Sequence, residues 1–184
     1  RPNSNAARDI AYHLHPHTNF RQHEETGSLV LSRGDGVYVV DDEGNRYLEA
    51  MAGLWCASLG FSEKRLAAAA HKQMLELPYY HTFNYKTHEP VIELAERLVQ
   101  LAPGNMSKVI FQSSGSEAND TAVKFVHYYN NAIGRPEKKK IIARTKGYHG
   151  TTRTAASLTG LPNMHALFDL PLPGVLHTSC PHHY

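Results

Sequence analysis

The segment Gln112-Ser113-Ser114-Gly115-Ser116-Glu117-Ala118-Asn119 has residue types suited to holding an anion. Periodicity places it between a short strand and a helix. The start of a helix carries four backbone N–H groups without intrahelical acceptors, at the positive end of the macrodipole. Gly115 has no Cβ to keep a ligand off the backbone, and Ser114 and Ser116 add hydroxyl donors. Charge-assisted hydrogen bonds of roughly 1.5–3 kcal/mol each, a few together, anchor a phosphate. The same residues also make an ordinary serine N-cap, and on these residues alone both readings stand. No Gly-Lys-Ser/Thr follows, which excludes a Walker A loop, and the single glycine excludes a dinucleotide fingerprint.

Gly147-Tyr148-His149-Gly150 lies just past a second strand end. Ligands of open α/β sheets bind beyond the carboxyl ends of strands, so this turn and the serine-rich turn can share one crevice. Two glycines around an aromatic free its ring to lie flat on a planar ligand; a turn with a core tyrosine is the competing reading. Ala52-Gly53-Leu54-Trp55-Cys56 holds the only tryptophan, which on composition alone reads as a core residue after a strand. Thirteen histidines are numerous. However, Pro16 breaks any helix that would align His13, His15 and His17, and the His182-His183 pair stands at the end, so no metal site is expected. Cys56 and Cys180 have no CxxC spacing and indicate neither a disulfide framework nor a zinc site, which makes a reducing, cytoplasmic setting the default.

The elements that must position these residues follow from periodicity. A short helix is expected around Ser4 to Leu14 in an otherwise polar, irregular stretch through Ser28. A hairpin is expected from Val37–Val40 and Tyr47–Met51 around Asp42-Glu43-Gly44-Asn45. Leu66, Ala70, Met74 and Leu77 fall at helical spacing before Pro78. Val91, Leu94, Ala95, Leu98 and Val99 do so before Pro103. Lys108 to Gln112 reads as a buried strand. A helix with Ala118, Ala122, Phe125, Val126 and Tyr129 on one face follows, and then a strand from Ile141 to Ala143. Strand, helix, strand implies a βαβ unit in a parallel sheet. Ala155 to Leu161 reads as a short helix and Pro171–Gly174 as a loop.

Composition excludes other classes. Nineteen Lys+Arg against 17 Asp+Glu leave +2, too balanced for a protein that binds nucleic acid by neutralising phosphates. Lys138-Lys139-Lys140 reads as the solvated approach to a strand. No run approaches the ~18 apolar residues of a membrane span. No secretory signal pattern opens the chain, which starts at Arg1 rather than Met.

Taken together, the motifs resemble class III aminotransferases, pyridoxal-phosphate enzymes of fold type I, and most closely the ω-amino acid or amine:pyruvate transaminase branch. The resemblance runs from His13-Leu14-His15-Pro16 to Pro181-His182-His183-Tyr184. It is carried by Gly36-Val37-Tyr38, Asp41-Asp42-Glu43-Gly44-Asn45, Met51-Ala52-Gly53-Leu54-Trp55-Cys56 and Leu77-Pro78-Tyr79-Tyr80-His81-Thr82-Phe83. It continues in Lys86-Thr87-His88-Glu89-Pro90, Ser114-Gly115-Ser116-Glu117-Ala118-Asn119, Gly147-Tyr148-His149-Gly150 and Asp169-Leu170-Pro171-Leu172-Pro173-Gly174. The implied fold is α/β, a parallel-rich sheet flanked by helices, preceded by an α+β segment of a small domain. Residues 1–60 would belong to that small domain and residues 61–184 to the first part of the large cofactor domain.

The resemblance implies that Gly115 and Ser116, with Ser114 beside them, bind the phosphate of pyridoxal 5′-phosphate. It implies that Tyr148 stacks on the pyridine ring with His149 next to it. Leu54 and Trp55 would wall the substrate pocket, Phe83 would reach a pocket across a homodimer interface with shared active sites, and His17 stands where relatives often carry an aromatic. The implied substrates are a small amine or ω-amino acid donor and pyruvate or a similar keto acid, with no nucleic acid or membrane partner. The family's Schiff-base lysine and pyridinium-facing aspartate lie downstream of Gly150, and no segment here matches either. The 184 residues are therefore expected to be an amino-terminal portion with no catalytic residue of its own. A pyridoxal-phosphate aminomutase or decarboxylase would share these motifs. A non-catalytic phosphate-binding fragment is the rival from another class.

Overall fold

The computed structural model describes residues 3–182; Arg1, Pro2, His183 and Tyr184, and with them half of the terminal histidine pair, lie outside the described residues. The chain divides into two compact units, Arg1–His88 and Glu89–Tyr184.

The first unit opens with two capped helices, α1 (Asn5–Tyr12) and α2 (Phe20–Thr26). Ser4 Oγ accepts the Ala7 N–H and Asn19 Oδ1 accepts the Gln22 N–H, each satisfying one orphan donor of its helix. α2 was not expected, because its sequence has no apolar stripe; its only signals are the Asn19 cap and Gly27, left-handed at φ 72°. A histidine cluster is built on α1. Asp9 accepts from the Ser28 hydroxyl and lies 3.0 Å from His13 Nδ1 and 2.7 Å from His15 Nε2. These contacts, the Ser28 hydroxyl first, hold its carboxyl well below the usual carboxylate range.

The expected hairpin is present as β2 (Tyr38–Asp41) and β3 (Arg46–Leu48), paired Tyr38↔Leu48 to Val40↔Arg46. A further strand, β1 (Leu31–Asp35), pairs antiparallel with β2 and makes the sheet three-stranded. Its Ser-Arg-Gly-Asp composition gave no strand signal. The register slips between Leu31 and Arg33, where the Ser32 hydroxyl reaches the carbonyls of Val40 and Asp41. Asp41 is the buried pivot of the turn. Its carboxylate accepts from the N–H groups of Glu43 (3.0 Å) and Asn45 (2.8 Å), the Asn45 side-chain amide (3.0 Å) and the Tyr47 hydroxyl (2.8 Å). Past β3 the chain makes a single turn, α3 (Ala52–Trp55), and returns to the sheet. There Gly36 and Phe61 exchange backbone hydrogen bonds of 3.1 and 2.7 Å. Gly34 is required at this crossing, since a Cβ there would lie 2.5 Å from Phe61 Cβ. α4 (Lys64–Glu76) then runs to Pro78, as its spacing predicts.

The second unit begins with α5 (Glu89–Leu101). Lys108 to Gln112, expected as a buried strand, pairs with nothing among the described residues, and Ile110 and Phe111 are exposed. A strand exists only through its ladder, so this extended segment is not one here. α6 (Gly115–Ala132) follows, and its predicted apolar face is exposed at Phe125 and Tyr129. The expected strand is β4 (Ile141–Arg144). Its partner is β5 (Val175–Thr178), parallel in register Ile141↔Val175 through Arg144↔Thr178. A βαβ unit is therefore present with α7 (Arg153–Leu158) in its crossover, instead of the one built on Lys108–Gln112.

The core around α7 is made mostly of small residues: Ala143, Ala155, Ala156, Ser157 and Thr159 are buried, with Leu158 the one large side chain among them. That close packing explains Gly160, where a Cβ would run into the Arg144 carbonyl. Lys139 is not simply solvated: its ammonium donates to the His127 carbonyl (3.0 Å) and Asn131 Oδ1 (2.6 Å) near the C-terminal end of α6, where the macrodipole favours a cation. No helix among the described residues is long and apolar enough to cross a membrane.

The Asn45 side chain, chiefly, holds the Asp41 carboxyl below its ordinary value of 3.8. A carboxyl depressed by folding stabilises the native state above its unfolded pKa. That stability is lost as pH falls through the lower folded value, so it fades below about pH 4. Asp41→Asn places an amide NH2 among four donors. The whole protein carrying it should melt at lower temperature at pH 7, and its melting temperature should fall less steeply than wild type between pH 5 and pH 3, by calorimetry.

Candidate functional site

Ser114 is extended (φ −152°, ψ 161°) and its Oγ accepts the Glu117 N–H at 3.2 Å, so the serine-cap reading is realised. The Glu117 carboxylate turns back to accept the Ser113 N–H at 2.8 Å. The first intrahelical bond runs from Ala118 N–H to the Ser114 carbonyl. The N–H groups of Gly115 and Ser116 are left at the first two helical positions without intrahelical acceptors. The cap and the anion site are therefore compatible, because the cap uses the Glu117 N–H and leaves those of Gly115 and Ser116. A Cβ on Gly115 would meet nothing within 4 Å, so the space before these amides is open. The Ser114 and Ser116 hydroxyls accept from Glu117 and Thr151 N–H groups, respectively, and each keeps its proton to donate.

The Gly147–Gly150 turn is fastened to this helix end. Asn119 Nδ2 donates to the His149 carbonyl at 2.6 Å, and Ser116 Oγ accepts the Thr151 N–H at 3.0 Å. Asp120 Oδ1 accepts from the Thr152 hydroxyl (2.7 Å) and the Ala155 N–H (3.1 Å), tying the start of α7 to α6. Behind the turn, Lys146 N–H bonds the Gly160 carbonyl and Gly160 N–H the Gly147 carbonyl, both at 2.8 Å, and Thr159 Oγ1 accepts the His149 N–H at 2.9 Å. Gly150 (φ +133°) is where the two segments meet, since a Cβ there would run into Ser116 Oγ and lie 2.9 Å from Ala155 Cβ. Tyr148 is held at this junction 57% exposed, so it packs in no core within this chain. The His149 ring folds back over Gly147, where an added Cβ would lie 3.2 Å from its Nε2. Lys146 is exposed.

Ser114, Gly115, Ser116, Tyr148 and His149 thus come together in the second unit. The bonds by which Asn119, Asp120 and Thr152 hold them are not legible in the sequence. Their partners lie about thirty residues away, and no local pattern reports such a bond.

His17, Leu54, Trp55 and Phe83 belong to the first unit and are all exposed. Trp55 is 75% exposed, so it is not a core residue here. Phe83 stacks on His81 with ring centroids 5.6 Å apart. The backbone around Trp55 is unusual: Ala52, Gly53, Leu54 and Trp55 have φ of 49°, 59°, 61° and 66°, a complete left-handed turn closed by Trp55 N–H to the Met51 carbonyl at 2.9 Å. Three of the four are not glycine, and each such residue costs roughly 1–2 kcal/mol.

One group of potential metal ligands comes together among the described residues: Asp9, His15 and His23, with ligand atoms within 4.8 Å of one another. Ser28 Oγ bridges two of them, donating to Asp9 and lying 2.6 Å from His23 Nε2. In this structure their polar atoms are paired with one another and with Ser28.

Residues 20–184 match the family described as Aminotransferase class-III. The chain belongs to that family, whose members are pyridoxal-phosphate-dependent enzymes of fold type I. It is 57% identical over 157 residues to vanillin aminotransferase of Capsicum chinense, covering 85% of this chain and 34% of that protein. It is 50% identical over 188 residues to gamma-aminobutyrate transaminase 1, mitochondrial, of Oryza sativa subsp. indica, covering 100% of this chain and 36% of that protein. The ω-transaminase from Pseudomonas jessenii, solved in complex with PMP, superposes with a TM-score of 0.96 at 60% identity, covering 98% of this chain and 40% of that one. A variant of the Pseudomonas jessenii enzyme with exchanges at a tryptophan, a phenylalanine and an arginine is described as engineered for asymmetric synthesis of enantiopure bulky amines. It has the same TM-score, identity and coverage. The chain thus spans about a third of the curated relatives it matches.

Gly150→Ala in the whole protein should force the Gly147–Gly150 turn off the start of α6. The expected result is a melting temperature lower by several degrees in calorimetry, the size that ~1–3 kcal/mol of strain produces in a protein domain.

Proposed function

We propose that this chain is the amino-terminal portion of a pyridoxal-phosphate-dependent transaminase that moves an amino group from an amine or ω-amino acid to pyruvate or a similar keto acid. The observation that carries the reading is the start of α6: two N–H groups without intrahelical acceptors stand before open space at Gly115, flanked by two serine hydroxyls, and an exposed tyrosine is bolted to the same helix end. That donor set suits a phosphate dianion. In this reading Gly115 and Ser116 hold the phosphate with Ser114 beside them. Tyr148 lies against the pyridine face, and His149 serves chiefly through its backbone, fixing Tyr148. When bound, pyridoxal phosphate supplies an electron sink for the carbanion at the substrate carbon. This chain's residues anchor and orient it, while the proton-moving lysine would come from elsewhere in the whole protein.

Residues 1–60 belong to the small domain and 61–184 to the large cofactor domain in this proposal. Leu54, Trp55, Phe83 and His17 form the substrate wall, with Phe83 reaching a neighbouring subunit's pocket in a homodimer. Two observations support the wall. Its residues are exposed rather than packed in the first unit. The tryptophan and phenylalanine exchanged in the Pseudomonas jessenii variant stand the same number of residues apart as Trp55 and Phe83. His17, exposed and left-handed at φ 51°, would bring a titratable ring where an apolar wall is usual. A cytoplasmic setting belongs to the same proposal.

The test is product identity. The whole protein incubated with an amine donor and pyruvate should yield alanine and the donor's carbonyl compound in equal amounts by chromatography. Carbon dioxide or an isomerised amine in their place would refute the transaminase reading.

A further inference from the structure

We propose that Glu49 is a positioning residue for amine recognition, its carboxylate locking residues 52–55 in the left-handed turn that presents Leu54 and Trp55. The proposal rests on the reading of those two side chains as substrate wall. Packing within this chain does not account for the turn, because Leu54 is 60% and Trp55 75% exposed here. Neither does local preference, because Ala52, Leu54 and Trp55 all disfavour positive φ. Strained backbone of this kind persists only where its surroundings over-determine it.

Glu49 supplies that determination. One carboxylate oxygen accepts the Met51 N–H at 3.1 Å and the other the Gly53 N–H at 2.6 Å. Each oxygen takes a donor on the rising arm of the turn, as an N-cap does for a right-handed helix, with charge assistance on both bonds. Glu49 is itself fixed, half-buried, with its N–H donating to the Val37 carbonyl at 2.9 Å. Beyond the turn, Phe61 returns to the same segment through Gly36. The Phe61 ring also lies beside Gly53, but the polar link from the three-stranded sheet to the turn is the Glu49 carboxylate, and Gly53, the only glycine of the four, is one of the two residues whose N–H it takes.

Glu49→Gln keeps the shape but sets an amide NH2 against one of the two donors, and Glu49→Asp keeps the charge but shortens the reach. Two measurements on the holoenzyme read the effect. Hydrogen exchange over residues 50–57 should quicken by roughly tenfold in Glu49→Gln, the size expected when a charge-assisted bond is lost. With one keto acid held constant, KM for 1-phenylethylamine should rise about 3- to 10-fold with kcat changed by less than about 2-fold, the split expected when ground-state and transition-state binding are weakened alike. Glu49→Asp should fall between Glu49→Gln and wild type in both. Unchanged exchange overturns the proposal, as does a flat KM in the Glu49 variants while Trp55→Ala shifts it. If Trp55→Ala also leaves KM flat, the wall reading has failed and the recognition role fails with it, a result separable from the preceding one by the Trp55 variant alone.

Discussion

A helix begins with four N–H groups that it cannot satisfy itself, and the second unit is arranged around how α6 disposes of them. Ser114 takes the Glu117 N–H, and the carboxylate of Glu117 is spent on Ser113, so neither competes for the space before Gly115. The next turn of the helix is turned outward to other segments: Asn119 and Asp120 take the chain on either side of Gly150. One helix therefore supplies the donors and also holds the loop that carries Tyr148. Their geometry is set by side chains one turn apart on a rigid element, which is how a site is kept within the tolerance that binding requires.

The first unit solves the opposite problem. Its feature of interest, the turn from Ala52 to Trp55, is unfavourable in itself, and Leu54 and Trp55 find little packing within this chain. Hydrogen bonding from a sheet-anchored carboxylate is what offsets the strain. A rigid three-stranded sheet with Asp41 at its pivot is the platform that makes this workable, because Glu49 follows directly from β3.

Much of this was legible in the sequence, for physical reasons that differ by element. α4, α5 and α6 announce themselves by apolar spacing and by the residues at their ends, which are local properties. The hairpin shows through Asp42-Glu43-Gly44-Asn45 between β-branched runs. β1 is hidden by the weak strand preference of Ser-Arg-Gly-Asp, and β5 by its four-residue length; both are defined by their partners. The reverse holds for Lys108–Gln112, whose apolar run promised a strand but which has no ladder among the described residues. At the site, the serines and glycines of the cup were visible as residue types. The bonds from Asn119 to His149 and from Asp120 to Thr152 were not, because they join segments distant in sequence. The left-handed turn left almost no trace either, since a single glycine among four residues does not distinguish it from an ordinary bend.

In the proposed function the start of α6 recognises the phosphate of the cofactor. The direct measurement is the affinity of the whole protein for pyridoxal 5′-phosphate relative to unphosphorylated pyridoxal, in wild type and in Ser116→Ala, because the ratio cancels contacts to the ring. Loss of one hydrogen bond to a charged group should lower the preference for the phosphorylated form by about tenfold or more. An unchanged ratio in Ser116→Ala would contradict the assignment of this helix end as the phosphate site.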